Sequence, residues 1–66
     1  MAGKVKNLID RLIDLRTNGD KGLIAPLKIK LIMKGVDPDM FDSDTPDNPL
    51  VIQRVQSIAK EMGVEL

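Results

Sequence analysis

The 66-residue chain has no cysteine, histidine, tryptophan or tyrosine, and Phe41 is its single aromatic residue. These absences exclude disulfide scaffolds, zinc sites built on Cys or His, thiol chemistry and imidazole acid–base catalysis. A pocket that would let paired carboxylates act as acid and base is hard to enclose in so small an aliphatic chain. We therefore expect a protein that is not an enzyme, with no catalytic residue and no bound cofactor.

Long apolar runs are missing as well, because no stretch approaches the roughly 20 residues of a membrane span. The segment from Met1 to Lys6 lacks the apolar core of a secretory signal. With 42% hydrophobic and 30% charged residues, the composition is typical of a soluble globular chain. The sequence predicts one domain over residues 1–66, located in the cytoplasm and without membrane contact. Since so short a chain buries little surface, we expect a homodimer or other homo-oligomer. The alternatives are a well-packed helical monomer and a fragment that depends on a larger partner.

Two segments carry apolar residues at the three-to-four-residue spacing of an amphipathic helix. The first runs from Lys4 to Arg16, and the Asn18-Gly19 pair after it can close a helix in the left-handed conformation. The last runs from Pro49 to Met62, after an Asn48 cap and before Gly63. Apolar residues at the helical spacing are expected to form the core: Val5, Leu8, Ile9, Leu12, Ile13 and Leu15 in the first segment, and Leu50, Val51, Val55, Ile58, Ala59 and Met62 in the last.

The middle segment is ambiguous, because over residues 27–33 apolar side chains nearly alternate with lysines, as they do in a strand. Length and propensity favour a helix from Leu23 to Lys34, with Pro26 in its first turn and Gly35 closing it. A helix that is apolar on several sides is usually covered on more than one side. The predicted fold is all-α: a small three-helix domain with an acidic Asp/Pro-rich loop before the last helix.

That loop concentrates five carboxylates between Val36 and Asn48: Asp37, Asp39, Asp42, Asp44 and Asp47. Asp37-Pro38 predicts a capped single turn near Pro38 to Phe41, which would direct Met40 and Phe41 inward. Met33 and Met62 are also interpreted as core residues. Oxygen-rich loops suit calcium or magnesium, but the spacing fails the EF-hand pattern. We expect caps and Asx-turns rather than a metal site, and leave the question of a divalent cation open.

Charge is divided along the chain although it sums to zero. Residues 1–34 contain eight basic and three acidic residues, whereas residues 35–66 contain two basic and seven acidic ones. Either the two halves fold against each other or meet across a two-fold axis, or one half faces a partner of opposite charge. The sequence leaves both interpretations open.

The surplus of apolar residues in the middle helix indicates a contact surface for another protein. The candidate partner-binding residues are Lys28, Ile29, Lys30, Ile32, Met33 and Lys34. In this hypothesis the lysines select an acidic partner or the acidic loop of a second copy. The function predicted is that of a small interaction module or regulatory subunit that associates with itself. The alternative is a nucleic-acid-binding or transcriptional regulator that uses the basic N-terminal half.

The run from Ala25 to Asp37, followed by a helical turn, an extended loop and a last helix, resembles the order of elements in a known family. That family is the peripheral subunit-binding domain of 2-oxo acid dehydrogenase complexes, which docks partner enzymes. The resemblance covers roughly half of the chain. Where the family has a glycine-rich loop carrying an arginine, this sequence has Asp42 to Asn48. We attribute the similarity to a shared helix–loop–helix order and infer no membership.

Overall fold

The computed structural model describes residues 2–66, which form three helices and two 3-10 turns. In chain order these are α1 (Lys4–Thr17), the first 3-10 turn (Lys21–Leu23), α2 (Ile24–Met33), the second 3-10 turn (Pro38–Met40) and α3 (Pro49–Glu61). The predicted all-α, three-helix fold is confirmed, and residues 27–33 are helical. Outside the helices, an isolated antiparallel bridge joins Ala2 to Pro46.

The core is an aliphatic cluster between α1 and α3, with α2 packed more lightly against α1. Its buried members are Val5, Ile9, Leu12, Ile13, Leu27, Leu31, Val36, Val55, Ile58 and Ala59. Two residues expected in the core are exposed instead: Leu15 by 51% and Leu50 by 76%. Both lie about 100° or more round their helices from the centre of the buried stripe, so they point away from the cluster.

Helix α2 ends in a hydrogen-bonded turn that turns the chain back into the core. Gly35, with φ of +94°, donates its N–H to the carbonyl of Ile32 at 3.0 Å, and Val36 donates to Leu31 at 2.9 Å. This pair of bonds is the Schellman arrangement, which glycine favours because the left-handed conformation costs it little. Val36 is consequently buried against Leu31.

The acidic loop is tied to the beginning of α1. The backbone N–H of Lys4 donates to Oδ1 of Asp47 at 3.0 Å, and that of Gly3 donates to the carbonyl of Thr45 at 3.0 Å. A carboxylate at this position satisfies one of the unpaired N–H groups of the first helical turn and interacts favourably with the helix dipole. The loop therefore caps α1 from 43 residues away.

Within the loop, the predicted caps are confirmed but one predicted core residue is wrong. Asp37 caps the second 3-10 turn and Asn48 caps α3, each followed by proline. Phe41 is half-buried and packs against the core, whereas Met40 is 72% exposed because the turn ends there and directs only the following residue inward. Met33, also interpreted as core, is 82% exposed, while Met62 does pack against the cluster.

Candidate functional site

Helix α2 turns an apolar face away from the rest of the protein. Its buried residues are Leu27 and Leu31, and Ile29, midway between them in sequence, lies about 200° round the helix from each. The side chains of Ile29, Ile32 and Met33 are 59%, 50% and 82% exposed. Helix geometry explains this exposure. The ten-residue helix α2 packs against the core through one buried stripe, so apolar residues on its opposite side stay exposed.

We call this surface the outer face of α2 and define it by five exposed residues: Ala25, Pro26, Ile29, Ile32 and Met33. All five are apolar, and they occupy about 120° of the helix circumference. Single exposed apolar residues are common on proteins, but a contiguous apolar face typically marks a contact site. Within residues 2–66, all five stay exposed, and Ile29, Ile32 and Met33 are at least half exposed.

One edge of the outer face carries a lysine that already has a partner. Nζ of Lys28 lies 3.6 Å from Oδ1 of Asp39, in the second 3-10 turn, and the side chain of Asp39 is 79% exposed. Asp37, which caps that turn, adds a second carboxylate close by. Oδ1 of Asp37 accepts a hydrogen bond from the N–H of Asp39 at 3.0 Å. This edge, which we call the acidic edge, therefore has Asp39 beside Lys28 and a second carboxylate next to Asp39.

The opposite edge, which we call the basic edge, carries Lys30 and Lys34. Nζ of Lys34 donates a hydrogen bond to Oε2 of Glu61 at 2.8 Å. This bond and the charge of Lys34 lower the pKa of Glu61 from its ordinary value, and the charge of Lys30 acts in the same direction. Among residues 2–66, Lys30 itself forms no ion pair within 4.0 Å.

A shallow groove continues the basic edge toward the end of α1. It is lined by Arg16, Thr17, Leu23, Pro26, Leu27 and Lys30. Its two ionisable side chains, Arg16 and Lys30, are both basic, and Arg16 likewise forms no ion pair within the described part of the chain. The basic edge and this groove therefore carry an excess of positive charge along an apolar floor, because Glu61 lies near Lys34 and Lys30 while no acidic residue lines the groove.

The six residues predicted as the partner-binding site thus divide into two groups. Ile29, Ile32 and Met33 share the outer face, while Lys28 lies on one edge and Lys30 and Lys34 on the other. Sequence reasoning missed Ala25 and Pro26, which helical periodicity could have placed on the same face. It also missed Asp39 and Glu61, whose pairing with lysines depends on how the helices pack and has no signal in local spacing.

Two of the five aspartates of the loop accept hydrogen bonds within local turns. Oδ1 of Asp37 accepts from the N–H of Asp39 at 3.0 Å, and Oδ1 of Asp42 accepts from the N–H of Asp44 at 2.8 Å. These are Asx-turns, as the sequence predicted. Within residues 2–66, no group of three or more acidic side chains is arranged to hold a metal ion.

A second groove lies between the second 3-10 turn and α3. It is lined by Gly35, Val36, Phe41, Leu50, Val51, Gln53, Arg54 and Ser57. Arg54 is its single ionisable side chain, so the groove offers no pair of titratable groups for acid–base chemistry. The outer face of α2, with five exposed apolar residues between two charged edges, is therefore the candidate site.

Comparison of the chain with protein-family models, with curated proteins and with solved structures finds no match. Across residues 2–66, none of the helices has both the length and the apolar character needed to cross a membrane.

Proposed function

We propose that the protein is a small, non-catalytic interaction module or regulatory subunit that binds protein through the outer face of α2 and associates with itself there. The observation that carries the proposal is the exposure of Ile29, Ile32 and Met33 on the side of α2 opposite its buried stripe. Covering apolar surface is favourable by about 25 cal/mol per Å² removed from water. A second protein molecule is the usual means of covering such a face. The cytoplasmic location stays a prediction from the sequence.

The monomer has a core of its own, which supports a contact that forms after folding. The ten buried hydrophobic residues form one cluster, and neither Ile29, Ile32 nor Met33 belongs to it. Disrupting the outer face is therefore expected to separate molecules without unfolding them.

The experiment compares the solution mass of the wild-type protein with that of Ile32→Asp across protein concentration, by light scattering. We expect the wild-type mass to rise with concentration and the variant to stay monomeric with unchanged helical circular dichroism. Leu15→Asp is the matched control, because Leu15 is 51% exposed against 50% for Ile32 but lies on α1. A variant mass curve equal to that of the wild type would overturn the proposal, as would an equal loss of mass in the control.

The alternative of a nucleic-acid regulator has weaker support. Lys28 and Lys34 are paired with Asp39 and Glu61, and exposed carboxylates of the acidic loop would repel phosphates. Binding to duplex DNA that falls steeply with salt concentration would favour this alternative, because phosphate contacts release counterions. A mainly apolar contact between proteins is much less sensitive to salt.

A further inference from the structure

We infer that a second copy of the chain covers the outer face with the two α2 helices parallel, each copy placing Lys30 beside Asp39 of the other. The inference deepens the proposed function and rests on it. It follows from the difference between the two edges of the face, which determines how two copies can approach.

The two edges differ in charge. The basic edge of one copy is complementary to the acidic edge of another copy, but not to the basic edge of another copy. Within residues 2–66, Lys30 on the basic edge and Arg16 in the adjoining groove form no ion pair, while the acidic edge has Asp39 beside Lys28 and the carboxylate of Asp37 next to Asp39. Like charges brought together weaken an interface and opposite charges orient it. A second copy is therefore expected to bring its acidic edge to the basic edge of the first.

Two-fold symmetry offers two ways to stack one helix face on a copy of itself. If the axis is perpendicular to α2, the helices are antiparallel and each edge meets the same edge of the other copy. If the axis runs along α2, the helices are parallel and each edge meets the opposite edge. The first arrangement sets the basic edges of the two copies against each other, whereas the second sets each basic edge against the edge that carries Asp39.

The size of the face sets the expected strength of the pairing. A ten-residue helix is about 15 Å long, so its outer face provides less than the roughly 800 Å² per partner of a stable complex. The whole described surface measures 4674 Å². Edge contacts add to the buried area, and we expect a dimer that dissociates on dilution.

The absence of cysteine from the chain allows single cysteines to report the geometry. Oxidation of Ile29→Cys is expected to give a disulfide-linked dimer in either arrangement, since Ile29 is at the middle of the face. Met33→Cys distinguishes them. In the parallel dimer the cysteine at position 33 faces the same cysteine of the other copy. In an antiparallel dimer centred on Ile29, the two cysteines are separated by about 12 Å along the helix axis, which is beyond the reach of a disulfide.

We expect efficient cross-linking of both variants and background cross-linking of Leu15→Cys, the off-face control of matching exposure. Cross-linking of Ile29→Cys without Met33→Cys, together with a mixed product between Ala25→Cys and Met33→Cys, would overturn the parallel pairing and leave the proposed function standing. Background levels for all of the face variants would overturn both.

Charge reversal tests the edges separately. Lys30→Asp and Asp39→Lys are each expected to weaken dimerisation by about tenfold, because two symmetry-related pairs change from attraction to repulsion. The double variant restores both pairs between the copies with exchanged signs, but the lysine at position 39 then lies near Lys28 of its own copy. We therefore expect it to dimerise more strongly than either single variant. Lys60→Asp on α3 is the control with the same change of charge. Additive losses in the double variant, or a stronger dimer in Lys30→Asp, would overturn the pairing of Lys30 with Asp39.

Discussion

At the scale of single residues, a few positions make one specific contact each that contributes to the fold. Gly3 brings the chain close to the acidic loop, Asp47 caps α1, and Glu61 holds Lys34. Each contact can be removed by one substitution, and a similar residue elsewhere provides a control.

Gly3→Ala is expected to destabilise the protein more than Gly19→Ala. Both glycines have positive φ, which costs an alanine about 1 to 2 kcal/mol, but a Cβ at Gly3 would lie 2.8 Å from the backbone oxygen of Ser43, whereas Gly19 has open space. Urea denaturation measures the two free energies of unfolding. Equal losses would show that the loop moves aside without cost.

Asp47→Ala is expected to cost about 1 kcal/mol, the usual effect of removing a helix cap. Its carboxylate accepts from the N–H of Lys4. Asp44→Ala removes the same charge from the same loop, and the Asp44 carboxylate accepts no hydrogen bond within residues 2–66, so that variant should be nearly neutral. Thermal denaturation of both variants at one pH makes the comparison, and equal stabilities would contradict the capping of α1 by the loop.

Lys34→Gln is expected to raise the pKa of Glu61 toward its ordinary value, and Lys30→Gln to raise it less. Because the folded-state pKa is lowered, the ion pair contributes stability above the ordinary glutamate pKa of about 4.3 and loses it as pH falls through the lowered value. A carbon-13 NMR titration of the Glu61 carboxyl measures the shift. A carboxyl that titrates identically in the wild type and in Lys34→Gln would show that the pair does not persist in solution.

At the scale of elements, α2 differs from its neighbours because it has two apolar sides, one buried and one exposed. Leu31 packs in the core at 1% exposure, while the adjacent Ile32 is 50% exposed. The neighbours α1 and α3 have one buried stripe each. This difference is the reason for the proposal that α2 provides the interaction surface.

Leu31→Ala is expected to lower the free energy of unfolding by about 2 to 5 kcal/mol, because it leaves a cavity in the core. Ile32→Ala removes a similar side chain from the surface and should change it by no more than about 0.5 kcal/mol at concentrations where the protein is monomeric. Denaturation at low protein concentration measures the free energies of unfolding of the two variants. A similar decrease in the free energy of unfolding for both variants would place Ile32 in the core and contradict the existence of an exposed outer face.

The elements could be predicted from sequence wherever a local rule determines them. Helical spacing, Asn48-Pro49 and Gly35 predict helices that the structure contains within one or two residues. The prediction of Met40 as a core residue is wrong because apolar character does not show which side of a single turn a residue occupies. The contacts of Asp47 with Lys4 and of Lys34 with Glu61 join residues 43 and 27 positions apart, so they depend on tertiary packing.

At the scale of the whole molecule, some of the opposite charges of the two halves pair with each other within the monomer. Lys28 and Lys34 from the basic half meet Asp39 and Glu61 from the acidic half. These contacts agree with the interpretation that the halves fold against each other. Lys30 and Arg16 form no ion pair within residues 2–66, and they lie beside the apolar outer face of α2.

The measurement that tests the central claim most directly is the change of backbone amide NMR signals on dilution of the wild-type protein. If molecules pair through the outer face of α2, the signals that move should come from residues 25–34 and from the neighbourhood of Asp39, while those of the buried core stay in place. Movement confined to α1 or α3, or a spectrum that is unchanged across the whole accessible concentration range, would contradict self-association through this surface.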